Sequence, residues 1–114
     1  MFTTIPLWFG LPVLLAAAHY IGDFAWQSTW MAMEKGKNWD ALLAHCATYT
    51  AAFVLFACLP HSFTMGLGAT VAIFTTHIVI DLLKARFNVI KSIMVDQFCH
   101  FAVLATLLLA GLIR

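Results

Sequence analysis

Long apolar stretches, interrupted at few positions by polar residues, dominate the pattern along the chain. A membrane-spanning helix needs about 20 mainly apolar residues, and four stretches of that kind cover residues 7–26, 41–59, 63–83 and 93–113. Short connections at 27–40, 60–62 and 84–92 separate them. The pattern predicts an all-α membrane protein, with a single transmembrane domain over residues 1–114 and its four helices in an up-down-up-down bundle.

The composition agrees with this pattern. Hydrophobic residues make up 63% of the 114 residues and charged residues 10%, against about 45–50% and about 25% in a soluble domain. A soluble domain of this size cannot bury so much apolar surface. Membrane lipid is therefore the expected partner, and the net charge of +1 offers no basic surface for nucleic acid. An odd number of cysteines inside predicted spans argues against a disulfide framework, so all three are expected to be small apolar filler: Cys46, Cys58 and Cys99.

Basic residues near the connections predict the orientation. They lie in the first connection and in or beside the third: Lys35, Lys37, Lys84, Arg86 and Lys91. The second connection has neither Lys nor Arg, and His61 in it is expected to be solvated. The positive-inside rule then places 27–40 and 84–92 in the cytoplasm and both termini outside.

A few ionisable residues interrupt the apolar pattern of the predicted spans. There are seven: His19, Asp23, His45, His77, Asp81, Asp96 and His100. Six of them form His/Asp pairs four residues apart, a spacing that puts both side chains on one helix face. At about 1.5 Å per residue, all seven fall in the cytoplasmic half of the bilayer. An up-down bundle would therefore bring them into a single cluster.

The chemistry of this cluster suggests a divalent metal. Each charged residue in a span costs about 2.5–3.5 kcal/mol, so three carboxylates need compensating charge from a metal or from protonated histidines. Histidine and aspartate bind zinc, our first choice, and also iron or manganese in more oxygen-rich sites. The predicted ligands are His19, Asp23, His45, His77, Asp81, Asp96 and His100. One metal with carboxylates that orient the imidazoles, and two metals, both remain open.

Two further polar residues near the helix ends carry expectations. Lys84 follows Asp81 by three residues, so the two are expected to pair on one helix face. Lys84 could also extend to the interface or hold a phosphate there. Asp40 is expected to cap the second helix.

The spacing of these polar residues resembles a small bacterial and phage membrane family, catalogued as domain of unknown function 3307. Four blocks carry the resemblance in order: His19-x3-Asp23-Phe24-x2-Gln27, His45, His77-x3-Asp81-x2-Lys84 and Asp96-Gln97-x2-His100. The resemblance implies a polytopic inner-membrane protein. More distantly, the pattern is similar to small inner-membrane proteins described as metal-dependent hydrolases.

Three functions fit these observations. In a membrane-embedded metallohydrolase, the histidines would hold the metal, Asp23, Asp81 and Asp96 would act as ligands or bases, and Lys84 would hold an anionic or lipid-like substrate. In the second, the cluster carries protons or metal ions through a homo-oligomer. In the third, a hydrogen-bond network holds together a structural protein that binds a membrane partner.

Overall fold

The computed structural model describes residues 7–60 and 62–114, so His61 lies outside the described residues. The elements are α1 (Leu7–Tyr20), α2 (Thr29–Glu34), α3 (Trp39–Ala57), α4 (Leu67–Asp81) and α5 (Ile93–Leu109). The predicted all-α fold is confirmed. Within the described ranges no strand occurs, apart from an isolated bridge between Met65 and Ile113.

Two helices continue directly into a π-helical turn. α1 continues through Ile21–Ala25, and α4 continues through Leu82–Arg86. The turns are closed by the N–H groups of Trp26 and Phe87, which donate to the carbonyls five residues back at 2.8 and 2.9 Å. A π turn changes the direction in which the following side chains point, and such turns are frequent at functional sites.

The first predicted connection contains the short helix α2, which the sequence pattern did not predict. Ser28 caps the N-terminus of α2, because its side chain accepts a hydrogen bond from the N–H of Met31 at 3.2 Å. The expectation that Asp40 caps the next helix is wrong. Asn38 caps α3, and Asp40 donates its backbone N–H to the Asn38 side chain at 2.8 Å. Asn38 stands just before the first helical residue, where a side-chain oxygen can reach the free N–H groups.

The third predicted span begins later than residue 63. The backbone at Thr64 exchanges hydrogen bonds with Arg114, at 2.8 and 3.0 Å. This pairing holds the segment before α4 in an extended conformation, and α4 starts at Leu67.

Length and composition favour a membrane location, but only weakly. α3 and the continuous helix Leu67–Arg86 are long and apolar enough to cross a membrane, whereas Gly10–Ala25 and Ile93–Leu109 are shorter apolar helices. The core helix of a soluble protein passes the same test.

The helices share an apolar core at one end and a polar cluster at the other. α3 packs against α1, α2 and α4, and α5 packs against α4. The core includes Leu11, Leu15, Phe53, Phe63, Ile73, Leu104 and Leu107. Apart from Phe63, which precedes α4, these residues lie in the first two thirds of α1, the first half of α4 and the later parts of α3 and α5. The opposite ends of the same helices therefore carry the polar side chains.

Two glycines permit close contacts near that polar end. A Cβ atom on Gly22 would lie 2.9 Å from the Cα of Tyr49, so the π turn after α1 packs against the backbone of α3. A Cβ atom on Gly36 would lie 2.6 Å from the carbonyl oxygen of Ala85. The first connection thus packs closely against the π turn after α4.

Candidate metal centre

The seven ionisable residues singled out in the spans are all buried together at the polar end of the bundle. They are His19, Asp23, His45, His77, Asp81, Asp96 and His100, and each is at most 5% exposed. They come from every long helical segment: α1 with its π turn, α3, α4 and α5. Buried carboxylates are retained only where something offsets their charge, so their contacts decide what the cluster can do.

Three of these side chains meet in a tight triangle. The Nε2 atoms of His45 and His77 lie 3.0 Å apart. Oδ1 of Asp23 lies 3.2 Å from the first nitrogen and 3.6 Å from the second. The three residues belong to different helices, so tertiary packing creates the triangle.

Asp81 approaches the same pair of imidazoles from a second side. Its Oδ2 atom lies 3.2 Å from Nε2 of His45 and 3.5 Å from Nε2 of His77. The ammonium group of Lys35 lies 3.6 Å from that same oxygen. Asp81 is therefore the carboxylate that links the triangle to the first connection.

Asp96 and His100 form a neighbouring pair on α5. Nε2 of His100 lies 3.4 Å from Oδ1 of Asp96. The other carboxylate oxygen, Oδ2, accepts a hydrogen bond from Lys84 at 3.2 Å. The imidazole of His100 stacks on that of His77, with ring centroids 4.5 Å apart and planes 23° apart. This stacking places the pair directly beside the triangle.

His19 differs from the other three histidines, because both of its ring nitrogens are hydrogen-bonded. Nδ1 lies 2.8 Å from the hydroxyl of Tyr49, and Nε2 lies 2.7 Å from Oε1 of Gln97. The amide of Gln97 in turn donates to Oδ2 of Asp23 at 3.4 Å and to Oδ2 of Asp96 at 3.1 Å. His19 thus connects to the carboxylates through Gln97.

Most of the unsatisfied buried polar atoms in the described residues lie in this cluster. They are His45 Nδ1, His77 Nδ1, Asp81 Oδ2, Asp96 Oδ1 and His100 Nε2, with Ser62 Oγ elsewhere. Several lie close to one another, but none of those contacts has hydrogen-bond geometry. Each such atom costs about 1–3 kcal/mol. The cluster therefore contains imidazole nitrogens and carboxylate oxygens that its internal hydrogen bonds leave free.

Three groups of these side chains could hold a metal ion. They are Asp23 with His45 and His77; Cys46 with His77 and Asp81; and Asp23 with Asp96 and His100, each with ligand atoms within 4.8 Å of one another. The buried His/Asp cluster is thus capable of binding a metal.

Comparison with known proteins identifies the family. A family model described as "Protein of unknown function (DUF3307)" matches residues 11–113. The chain belongs to this family. The match spans the whole cluster, from His19 to His100. No curated protein and no solved structure matches the chain significantly.

Two residues of this DUF3307 member join the cluster although the sequence analysis gave them other roles. Lys35 was interpreted only as a topology signal, yet its side chain is 13% exposed and faces Asp81. One feature of the sequence could have indicated this position: Lys35 precedes Gly36, and Gly36 lets the first connection pack closely against Ala85. Cys46 was expected to be apolar filler, yet its sulfur lies within 4.8 Å of ligand atoms on His77 and Asp81.

The expected pair of Asp81 and Lys84 is wrong. Lys84 pairs with Asp96 instead, and Asp81 faces Lys35. The physical reason is the π turn that begins at Leu82: it widens the helix and carries Lys84 away from the face of Asp81.

Proposed function

We propose that this protein spans the membrane with four helical segments and binds a divalent metal ion at its cytoplasmic end, where it hydrolyses a lipid-like or phosphorylated substrate. The triangle of Asp23, His45 and His77 is the observation that carries the proposal. Zinc is the first candidate for the ion, and iron and manganese are the alternatives.

The outer faces of the helices support the membrane assignment. Large apolar side chains are exposed on three long helices, among them Leu55, Val71, Val79 and Phe98. Exposed apolar surface on this scale is unfavourable in water and favourable in lipid. The longest dimension of the fold is 44 Å, close to the thickness of about 40–45 Å of a bilayer with its headgroups. Helices shorter than a full span fit a bilayer when the flanking aromatic and basic residues reach the interface.

The dimensions of the triangle support metal binding. Ligand atoms that lie about 2.0–2.1 Å from one tetrahedral zinc ion are about 3.3 Å apart. The three edges between Asp23, His45 and His77 measure 3.0, 3.2 and 3.6 Å. The ligand atoms are therefore spaced for a shared ion without rearrangement of the helices. Asp81, next to both imidazoles, is the nearest candidate for a further ligand or a base.

The charge of the cluster also favours a cation at Asp23. Of the three carboxylates, Asp81 faces Lys35 and Asp96 faces Lys84. Asp23 contacts only imidazoles and the Gln97 amide. Three carboxylates and two ammonium groups leave one negative charge when the histidines are neutral. A divalent ion beside Asp23 reverses the sign and leaves a site that attracts an anion.

The roles of the chain's own residues follow from these positions. A bound divalent ion supplies a Lewis acid and lowers the pKa of a bound water to about 7. Asp81 can accept a proton next to the ion, since it lies beside both imidazoles. Lys84, with a side chain 33% exposed, is the basic group best placed to meet an anionic substrate that approaches from the cytoplasm.

The apolar half of the bundle supports hydrolysis over transport. Leu15, Phe53, Ile73 and Leu104 are buried beyond the cluster, so the described residues of one chain line no polar path to the far side. Transport would require a homo-oligomer to supply that path.

Metal content after purification in detergent tests the proposal. We expect the wild-type protein, prepared without chelator, to retain a divalent metal by mass spectrometry. His45→Ala and His77→Ala should lose it, whereas Thr106→Ala on an exposed face of α5 should retain it. A folded wild-type protein that binds no zinc, iron or manganese would contradict metal binding.

Hydrolysis needs a separate assay. In vesicles that contain a phosphorylated lipid, we expect the metal-loaded wild type to release phosphate and His77→Ala to release none. If metal binds but ions instead cross the vesicle membrane in a His77-dependent manner, the protein is a transporter.

A further inference from the structure

We propose that the cluster holds a second divalent ion, bound by Asp96 and His100, and that the carboxylate of Asp23 bridges the two metal positions. This inference rests on the proposed function, because it extends the metal site of Asp23, His45 and His77. It makes the centre a two-metal site, a class that includes many enzymes acting on phosphate esters.

The first observation is a pair of unused ligand atoms. Nε2 of His100 and Oδ1 of Asp96 lie 3.4 Å apart. Both residues are almost fully buried, at 3% and 2% exposed. Neither atom has a hydrogen-bond partner, although they face each other. Two buried, unpartnered ligand atoms at this separation match the spacing of neighbouring ligands on one metal ion.

The second observation is the position of the Asp23 carboxylate between the two pairs. Oδ1 faces His45 and His77. Oδ2 accepts a long hydrogen bond of 3.4 Å from Gln97 and lies 4.0 Å from Nε2 of His19. Asp23, Asp96 and His100 together offer ligand atoms within 4.8 Å of one another. The Asp23 carboxylate is thus within reach of both metal positions.

The third observation is that an imidazole of the first metal position stacks on an imidazole of the second. The rings of His77 and His100 are nearly parallel, with centroids 4.5 Å apart. The stack therefore places a ligand ring of the first metal position directly beside a ligand ring of the second. Neighbouring ligand rings are what a two-metal centre needs, since paired metals are about 3.5–4 Å apart.

Binding at Asp96 does not require the loss of its ion pair. The hydrogen bonds from Lys84 and Gln97 go to Oδ2 of Asp96, whereas the free atom is Oδ1. Two divalent ions would leave the cluster with an excess of positive charge. A phosphate ester, as an anion, offsets that excess, and two metals can contact the attacking and leaving oxygens together. The expected substrate class is therefore a phosphate ester.

Manganese loading tests this inference. The wild-type protein is loaded with Mn²⁺ alone and desalted, and its metal is then counted by mass spectrometry and examined by electron paramagnetic resonance. We expect two ions per chain with the spectrum of an exchange-coupled pair. His100→Ala should retain one ion with the spectrum of isolated Mn²⁺, and Thr106→Ala should retain the coupled pair.

The outcomes separate this inference from the proposed function. One ion in both wild type and His100→Ala overturns the second site and leaves the first site intact. Two ions in His100→Ala overturn the ligand assignment. No bound ion in a folded wild type overturns both proposals. If His100→Ala does not fold, Asp96→Asn, which keeps the size of the side chain, is expected to give the same loss of one ion.

Discussion

His45 and His77, which are 32 positions apart in the chain, bring their Nε2 atoms to 3.0 Å inside the bundle. Two ring nitrogens at this distance can share one proton or one metal ion. The Asp23 carboxylate, 3.2 Å from His45, offers a third ligand atom in the same small space, as the proposed metal site requires.

This contact predicts that metal binding stabilises the fold. A ligand that binds only the folded state stabilises it by about 2.7 kcal/mol when the free ligand is 100-fold above its dissociation constant. We expect zinc to raise the melting temperature of the wild type in detergent and a chelator to reverse the rise. His77→Ala should show no zinc-dependent change. A melting temperature that zinc does not alter in the wild type would refute the prediction.

Lys35 and Lys84 should differ in their contribution to stability. The side chain of Lys35 is 13% exposed and that of Lys84 is 33% exposed. Removal of one partner from a buried ion pair costs about 3–5 kcal/mol, whereas exposed pairs contribute about 0–1 kcal/mol. In the metal-free protein we expect Lys35→Met to lower the free energy of unfolding more than Lys84→Met does.

Lys37→Met is the matched control for these two variants, since the Lys37 side chain is 76% exposed. We expect a change within about 0.5 kcal/mol, as for other surface substitutions. Denaturant titration of the wild type and the three lysine variants measures the order of their free energies of unfolding. Equal losses for Lys35→Met and Lys37→Met would show that the contact with Asp81 contributes nothing.

Gly22 should tolerate no side chain. A Cβ atom there would lie 2.9 Å from the Tyr49 Cα, so Gly22→Ala must push the π turn away from α3. Such overpacking typically costs about 1–3 kcal/mol. The displacement would also move Asp23, so we expect weaker metal binding.

Gly68→Ala is the matched control within a helix, because a Cβ atom there meets nothing within 4 Å. Alanine is a better helix former than glycine by about 1 kcal/mol, so this variant should be as stable as the wild type or more stable. Thermal melting and zinc titration of both variants measure the difference. If the two glycine variants behave alike, the close packing at Gly22 is not important for the cluster.

Tyr49→Phe should lower both the stability of the fold and its metal affinity without a change in the packing of the cluster. The phenyl ring keeps the stack on His77, where the centroids are 3.9 Å apart, but His19 Nδ1 loses its partner. A buried atom left unpartnered costs about 1–3 kcal/mol. Loss of a group that orients metal ligands lowers metal affinity by about 10–100-fold.

Tyr20→Phe serves as the control for this substitution, since Tyr20 is 49% exposed. We expect it to leave zinc affinity unchanged in a competition titration. An unaltered affinity in Tyr49→Phe would mean that His19 and Gln97 do not orient Asp23.

The orientation in the membrane can be measured independently. If both termini lie outside, as the basic residues predict, alkaline phosphatase fused after Arg114 should be active in bacterial cells, and green fluorescent protein fused there should be dark. Fusions made at Gly36, in the first connection, should give the opposite result. Fluorescence at Arg114 would place the cluster at the outer end instead.

The sequence by itself determined the helical class and the identity of the cluster. Hydrophobic stretches located the long helices to within a few residues, because apolar length is a local property. His/Asp spacing predicted that pairs such as His77 and Asp81 share a face, and helix periodicity enforces this locally. The family resemblance followed from the same residues.

Tertiary structure decided how those residues meet. No local rule brings His45 to His77 or directs Lys35 to Asp81, because these contacts depend on how whole helices pack. The π turn after α4, which sends Lys84 to Asp96, also lay beyond the sequence pattern, which assumes a constant helical period. The sequence thus supplied the His and Asp side chains at one end of the bundle, and packing alone set which of their atoms face one another.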